Sequence, residues 1–466
     1  MSASFVRPVL RAAKALLLSL TASAAHAGMQ NVPCDAPYAF RGASVNVVVL
    51  PFAMPDRSSP AADRIAQLVQ RETLRSIAKF SSVASVQLKQ SAGTPCLPEE
   101  VRAKLLGEQG GARSPVETGR GLVMVWGRIV ESGDTLYSQV FVDFVRRGSL
   151  ERLEIPLADG RLSGPLSAQG FAGPQRRMER ALLDKIDSLA VRNNVLYELP
   201  DEKSPKTEIP SELPFYYYVT EIRGDWMRVA AFTPDRPPSS QVQPGQNAFG
   251  GKQWMRAVAA EPEWTLRKVL PEMAFVEGVV GYLVLRDPKA NNAPAARAAM
   301  LSASTRAFDE YQQNLRRNSL EREQDVFDER YVAARAVVSE LQGMLRLLAP
   351  ERSVADVRAA REKFVASSRL QPGNAQARNL TLMSDLALAA RAAEAAAPPL
   401  RTADALLATL GVAPGNSDLR ANLRLTYRWL LGQAGTRPSA WAPLSAAEQA
   451  RLAGSLGALN EVAVVR

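Results

Sequence analysis

Between Pro294 and Pro350 the chain carries no proline, and inside that window Phe327, Tyr331, Ala334, Val338, Leu341, Leu345 and Leu348 recur at alternating spacings of four and three residues. A 4-3 rhythm of apolar side chains lines one stripe of an α-helix. This part of the chain must therefore be helical, and the stripe must be buried against other helices. Three heptads are short for a free-standing coiled coil, so the expected partners are the chain's own helices.

The helical reading continues to the end. Residues 370–382 (LQPGNAQARNLTL) and 412–425 (VAPGNSDLRANLRL) share Pro-Gly-Asn, followed at one offset by Arg378 and Arg420, 42 residues apart. Each corner stops one helix and starts the next, because these residues favour helix ends over helix interiors. Ala360, Phe364 and Pro372 before the first corner, and Leu423 and Tyr427 after the second, resemble degenerate tetratricopeptide repeats. Those repeats run at about 34 residues, and the alanine-rich stretch 391–399 accounts for the longer period here. The resemblance implies a helical-repeat scaffold over 291–466.

The chain before Pro294 is patterned differently. Val45-Asn46-Val47-Val48-Val49-Leu50-Pro51-Phe52 is a β-branched run ended by proline, hence a buried strand. Ile65, Leu68, Val69, Thr73 and Ile77 mark an amphipathic helix, and 83–88 a second strand. Pro98-Glu99-Glu100 opens a short helix with acidic residues where the helix dipole favours them. Two long strands, 121–130 and 135–145, flank Gly133-Asp134 as their turn, with 150–155 as a third strand of the meander. Met178, Leu182, Ile186 and Leu189 mark a closing helix. The VVVLPF strand, its helix and the VWGRIVESGDTL hairpin resemble the amino-terminal domain of TolB, an α/β module related to those of CsgG-like envelope proteins. The resemblance spans about 43–192 and implies an envelope protein that assembles with others.

Residues 198–212, with Pro200, Pro205 and Pro210 among charges, read as a linker. Beyond it, aromatics concentrate in 213–290, and YYYVTEIRGDWMRVAAF reads as a hairpin turning at Gly224-Asp225. This hairpin is similar to one in bacterial Src-homology-three-like barrels, which implies a β-rich module that takes peptides or cell-wall stems. Tyr217, Trp226 and Trp254 are its candidate partner-binding aromatics. The apolar run 279–285 is strand-sized, short of the roughly 20 residues that span a bilayer.

The first 27 residues read as a cleavable secretory signal. Arg7, Arg11 and Lys14 form the basic region, an apolar run follows from Ala15, and Ala25-His26-Ala27 supplies a small-x-small cleavage site. Residues 28–42 form a leader. Cys34 follows Val32-Pro33 rather than a lipobox, which argues against a lipid anchor. Signal removal lowers the net charge from +10 to +7 and takes away His26, the only histidine. Because the charge is dispersed, it reads as a solvated basic surface. Outside the cytoplasm its polyanions are lipid head groups and cell-wall polymers, not nucleic acid.

Two cysteines, Cys34 and Cys96, favour a disulfide in an oxidising compartment. Without histidine the mature chain cannot build a Ser-His-Asp or Cys-His triad or a His-Glu-x-x-His zinc site, and two cysteines alone hold no ordinary zinc. There is no phosphate-binding G-x-x-x-x-G-K-[S/T] loop. Paired carboxylates, the chemistry of glycan hydrolysis, survive this filter, but nothing singles out a pair. Asp143 lies on an expected strand, Glu221 and Asp225 lie beside the aromatics, and all three read as surface or turn residues.

These readings predict a multidomain α+β chain: an α/β sandwich over 43–197, a small β-rich barrel-like module over 213–290, and an all-α helical-repeat region. No catalytic, cofactor-binding or metal-binding residue is expected. The expected function is that of a periplasmic or otherwise extracytoplasmic scaffold or adaptor. Its expected partners are envelope proteins or cell-wall polymer, with peripheral contact to an anionic membrane surface and self-association both open. A cell-wall-associated binder or carboxylate-type glycan hydrolase is the alternative.

Overall fold

A computed structural model of the chain describes residues 34–53, 64–66, 68, 69, 73, 80, 82–88, 96–108, 114–148, 152–157, 160–165, 170–185, 195–209, 216–233, 236, 242, 246–256, 266–287, 293–320, 329–348, 352–391, 398–434 and 443–461. The expected signal, together with Ile77, Ile186, Leu189 and Phe327, lies outside the described residues.

The architecture is mixed α/β, with an open mixed sheet and a mainly helical carboxy-terminal region. The sheet is centred on β1 (Val45–Ala53), flanked in parallel by β2 (Val83–Gln87) and β3 (Gly121–Ser132). From β3 the chain turns at Gly133, whose φ of 57° suits glycine, into antiparallel β4 (Thr135–Arg146). The two long strands of the expected hairpin are therefore present. The third is placed differently. Residues β5 (Arg152–Leu157) and β6 (Gly160–Pro165) pair only with each other, and β4 is instead continued by β7 (Gly170–Ala172) and β8 (Arg176–Glu179). Met178, expected on a helix, lies in β8, and the helical turn follows at 180–185.

β9 (Val195–Tyr197) stands just before the expected linker and β10 (Lys206–Glu208) forms within it; β11 (Tyr216–Arg223), β12 (Trp226–Phe232) and β13 (Trp254–Arg256) follow. The β11–β12 hairpin turns at Gly224, φ 56°, as its sequence predicts. Its outer strand does not close on itself: β11 pairs antiparallel with β2. The sheet order is β10-β9-β13-β12-β11-β2-β1-β3-β4-β7, so strands on both sides of the linker share one open sheet, and no closed barrel is seen among the described residues.

β1 reads as apolar on both faces because both faces are covered. Val45, Val47 and Val49 point into one core, and Val48 and Leu50 into the other. The second core is closed by the leader and by α1 (Pro98–Leu106). The described part of the leader, residues 34–42, has no helix or strand, yet Phe40 is buried and exchanges two hydrogen bonds with the Asn46 side chain. The first core is closed by α2 (Glu272–Arg286), which buries all but its last residue.

This helix corrects the strand-sized reading of 279–285. A short apolar run buried on all sides carries no amphipathic period, so its β-branched content suggests a strand where length and tertiary packing give a helix. Gly278 is the reason α2 can be crossed closely: a Cβ there would lie 2.6 Å from the Phe308 ring on α3 (Pro294–Leu320).

The seam residues from Tyr331 to Leu345 lie on α4 (Glu329–Leu347), and Leu348 follows its last residue. Tyr331, Ala334, Val338, Leu341 and Leu345 are buried, and α4 packs on α3 and on α5 (Val354–Leu370). The stripe is thus covered by the chain's own helices. After α5 come α6 (Ala375–Ala390), α7 (Pro399–Val412), α8 (Ser417–Leu430) and α9 (Ala446–Glu461). Both Pro-Gly-Asn corners act as expected. The Asn374 side chain accepts from the Ala377 amide to cap α6, and Asn416 accepts from Asp418 and Leu419 to cap α8.

Candidate functional site

Near the β10 edge, the sheet displays a face built by register. Antiparallel pairing sets Arg223 opposite Trp226, Trp226 opposite Arg256, Arg228 opposite Trp254, and Trp254 opposite Tyr197. Directly opposed residues share a face of the sheet, and so do residues two apart. Arg223, Trp226, Arg228, Trp254, Arg256 and Tyr197 therefore stand together. The alternate positions, Met227, Val229 and Met255, enter the core beneath them.

Guanidinium groups and rings interleave. The Arg223 guanidinium lies 5.0 Å from the Trp254 ring centre, and that of Arg256 5.3 Å from Trp226. Tyr197 meets Trp226 edge-on at 5.1 Å. Each such cation–ring contact contributes about 0.5–1 kcal/mol at an exposed site. Glu221 pairs with Arg223 at 2.8 Å and with Arg228 at 3.8 Å, and Arg228 Nε donates to Gln253 Oε1 at 2.6 Å. The Arg223 side chain is still 63% exposed, whereas Trp254 is only 6% exposed beneath it. Stacking thus holds the cations in place and leaves them facing solvent.

Of the three aromatics singled out in the sequence, the structure brings Trp226 and Trp254 together. Tyr217 sits opposite Ser85 and Ala231, deeper in the sheet, and its side chain lies outside what is described. Sequence reasoning missed Tyr197 and the three arginines. The available signal was positional, since Arg223 and Trp226 flank a two-residue turn and must oppose each other.

The candidate carboxylates are dispersed. Asp143 on β4 pairs with Arg102 at 3.0 Å; burial raises its pKa, and Arg102 opposes that shift. Three strands lie between β4 and β11, which separates Asp143 from Glu221 by about four strand spacings, or roughly 19 Å. Two carboxyls acting on one glycosidic bond stand about 5–9.5 Å apart, so these two cannot share one. Asp225 lies in the exposed hairpin turn.

A concavity elsewhere, at the carboxy-terminal end of β4, is lined by Leu106, Thr118, Val145, Arg146 and Arg147 among others. Its arginines are engaged with backbone: Arg146 Nε donates to the Gly119 carbonyl at 2.9 Å and Arg147 Nε to that of Leu106 at 2.8 Å.

The chain matches no protein-family model, no curated protein and no solved structure. The ladder's own chemistry is that of recognition. Arginine presents planar donors to carboxylate or phosphate oxygens, and the half-buried Trp226 indole beside them offers apolar contact.

Proposed function

We propose that the protein is an exported, non-catalytic envelope scaffold or adaptor that binds protein or cell-wall partners through surfaces spread along the chain. The Arg223–Trp226–Arg256 ladder with Arg228 and Trp254 carries this reading. It combines exposed donors with ring surface, and Glu221, its carboxylate, is held in ion pairs. The Cys34–Cys96 disulfide fits an extracytoplasmic location. Among the described residues no helix is long and apolar enough to cross a membrane. The helical hairpins α5–α6 and α7–α8 supply a second surface of the kind that stacked repeats use for partners. The resemblance of the first strands to envelope α/β modules points the same way.

The test is in-cell crosslinking of the wild type against an Arg223→Glu/Arg256→Glu variant, with circular dichroism as the control for folding. Loss of the crosslinked partner from a folded variant is the expected result. An unchanged crosslinking pattern would exclude the ladder as the binding face. A Glu221→Gln change that abolished activity while partners were retained would favour the hydrolase alternative.

A further inference from the structure

The face of α6 and α8 is already occupied. The β5–β6 hairpin leaves the main sheet after β4, lies across both helices, and returns to the sheet at β7. Its effect on α6 is visible in burial: residues 383–389 are buried without a break. Seven consecutive residues span almost two helical turns, so every side of α6 is covered there. The helices α5 and α7 cover part of it, and the hairpin covers the rest. Leu162 on β6 is fully buried.

The hairpin is poorly built to stand alone. It is a two-stranded sheet with no hydrogen-bonded neighbour among the described strands, and such hairpins are marginal in water. Pro156 and Pro165 contribute no N–H to its ladder, and Gly160 and Gly164 add no side chain. Its stability therefore comes from α6 and α8. Elements with few bonds of their own are the ones that open locally at free energies below that of global unfolding.

We infer that the α6–α8 face is a binding groove for an extended segment with a leucine-type anchor, and that β5–β6 is its resident, displaceable occupant. The partner segment has the chemistry of the hairpin: extended, interrupted by proline, with a branched aliphatic residue where Leu162 now sits. This rests on the scaffold reading and gives its helical surface a closed and an open state. A competitor pays for displacing the hairpin, so the apparent affinity is reduced by the fraction of time the groove is open.

The test uses the full mature chain, its Leu162→Ala and Leu162→Asp variants, and a fluorescent peptide spanning residues 150–167 as the probe. The variants are expected to lose hydrogen-exchange protection in α6 and α8 while α3 and α4 keep theirs. They should also bind the probe at least about tenfold tighter than wild type does, whereas a probe carrying Leu162→Asp should not bind. The inference is overturned if the probe binds all three proteins equally or none. It is also overturned if both variants lose protection in α3 and α4, because the hairpin is then a permanent part of the core. Since the probe is the chain's own sequence, failure here leaves the crosslinking result at the Arg–Trp ladder standing.

Discussion

Arg176 on β8 donates from Nε and Nη2 to Oε1 of Glu272 at the start of α2, at 3.2 and 2.9 Å, and both side chains are buried. The pair fixes the buried helix to the sheet at one end. At the other end, Asp287, just past α2, accepts from Arg120 at 2.5 Å. Between them Glu277 is paired with Arg267, which also reaches Glu310 at 2.6 Å.

Removing one partner strands a buried charge. Arg176→Met is expected to destabilise the fold by about 3–5 kcal/mol, and Arg176→Met/Glu272→Leu by clearly less, because the double change removes both charges. Urea unfolding of the two variants checks the ordering. Equal losses would show that the pair is not electrostatically coupled.

Glu340 on α4 predicts a pH dependence. Burial pushes its carboxyl up to about 8, against the opposing hydrogen bonds from Asn374 and Gln376. The folded state therefore keeps a proton that the unfolded chain loses near 4.5. Stability from this group is full below that value and falls as pH rises towards 8, at up to about 1.4 kcal/mol per pH unit. Glu340→Gln should flatten the slope between pH 5 and 8 relative to wild type. Parallel slopes would remove Glu340 as the cause.

The Cys34–Cys96 bond encloses a sequence separation of 62 residues and ties the leader to the segment before α1. Peptide mapping of unreduced protein should recover one cross-linked pair. Reduction should lower stability by about 4 kcal/mol in the chain-entropy account, read as a fall in the urea midpoint. Two alkylatable thiols in the unreduced protein would sink this prediction.

Val338→Asp/Leu341→Asp places two carboxylates in the α4 seam, where both side chains are now buried. The expected outcome is loss of helical signal in thermal unfolding, at a cost of several kcal/mol, with no change in oligomeric state before melting. Clean dissociation of a folded oligomer, measured by light scattering, would show that the seam joins copies of the chain.

Local patterns were legible in the sequence wherever one face of an element is apolar or a corner has its own chemistry. The α4 seam, the Pro-Gly-Asn caps, the Gly224 turn and the β3–β4 hairpin all carry such signals. α2 was not legible, because burial on every side erases period, and its two buried glutamates look like surface residues until Arg176 and Arg267 are seen beside them. The pairing of β11 with β2 was equally hidden, since strand alternation shows that an edge needs a partner but not which one. At the candidate site, Trp226 and Trp254 could be named from composition. Their interleaving with Arg223 and Arg256 required the register.

That pairing also sets an order of events. Val86 of β2 finds its neighbour in Tyr216, 130 residues later in the chain. A chain synthesised amino-terminus first presents β1, β2 and β3 while the outer edge of β2 is still bare. A hydrophobic strand with unpaired backbone groups invites pairing with the wrong chain, and contacts this distant in sequence form late. Between the emergence of β2 and the arrival of β11 that edge is open to mispairing, and a folding helper acting in this interval would shield it.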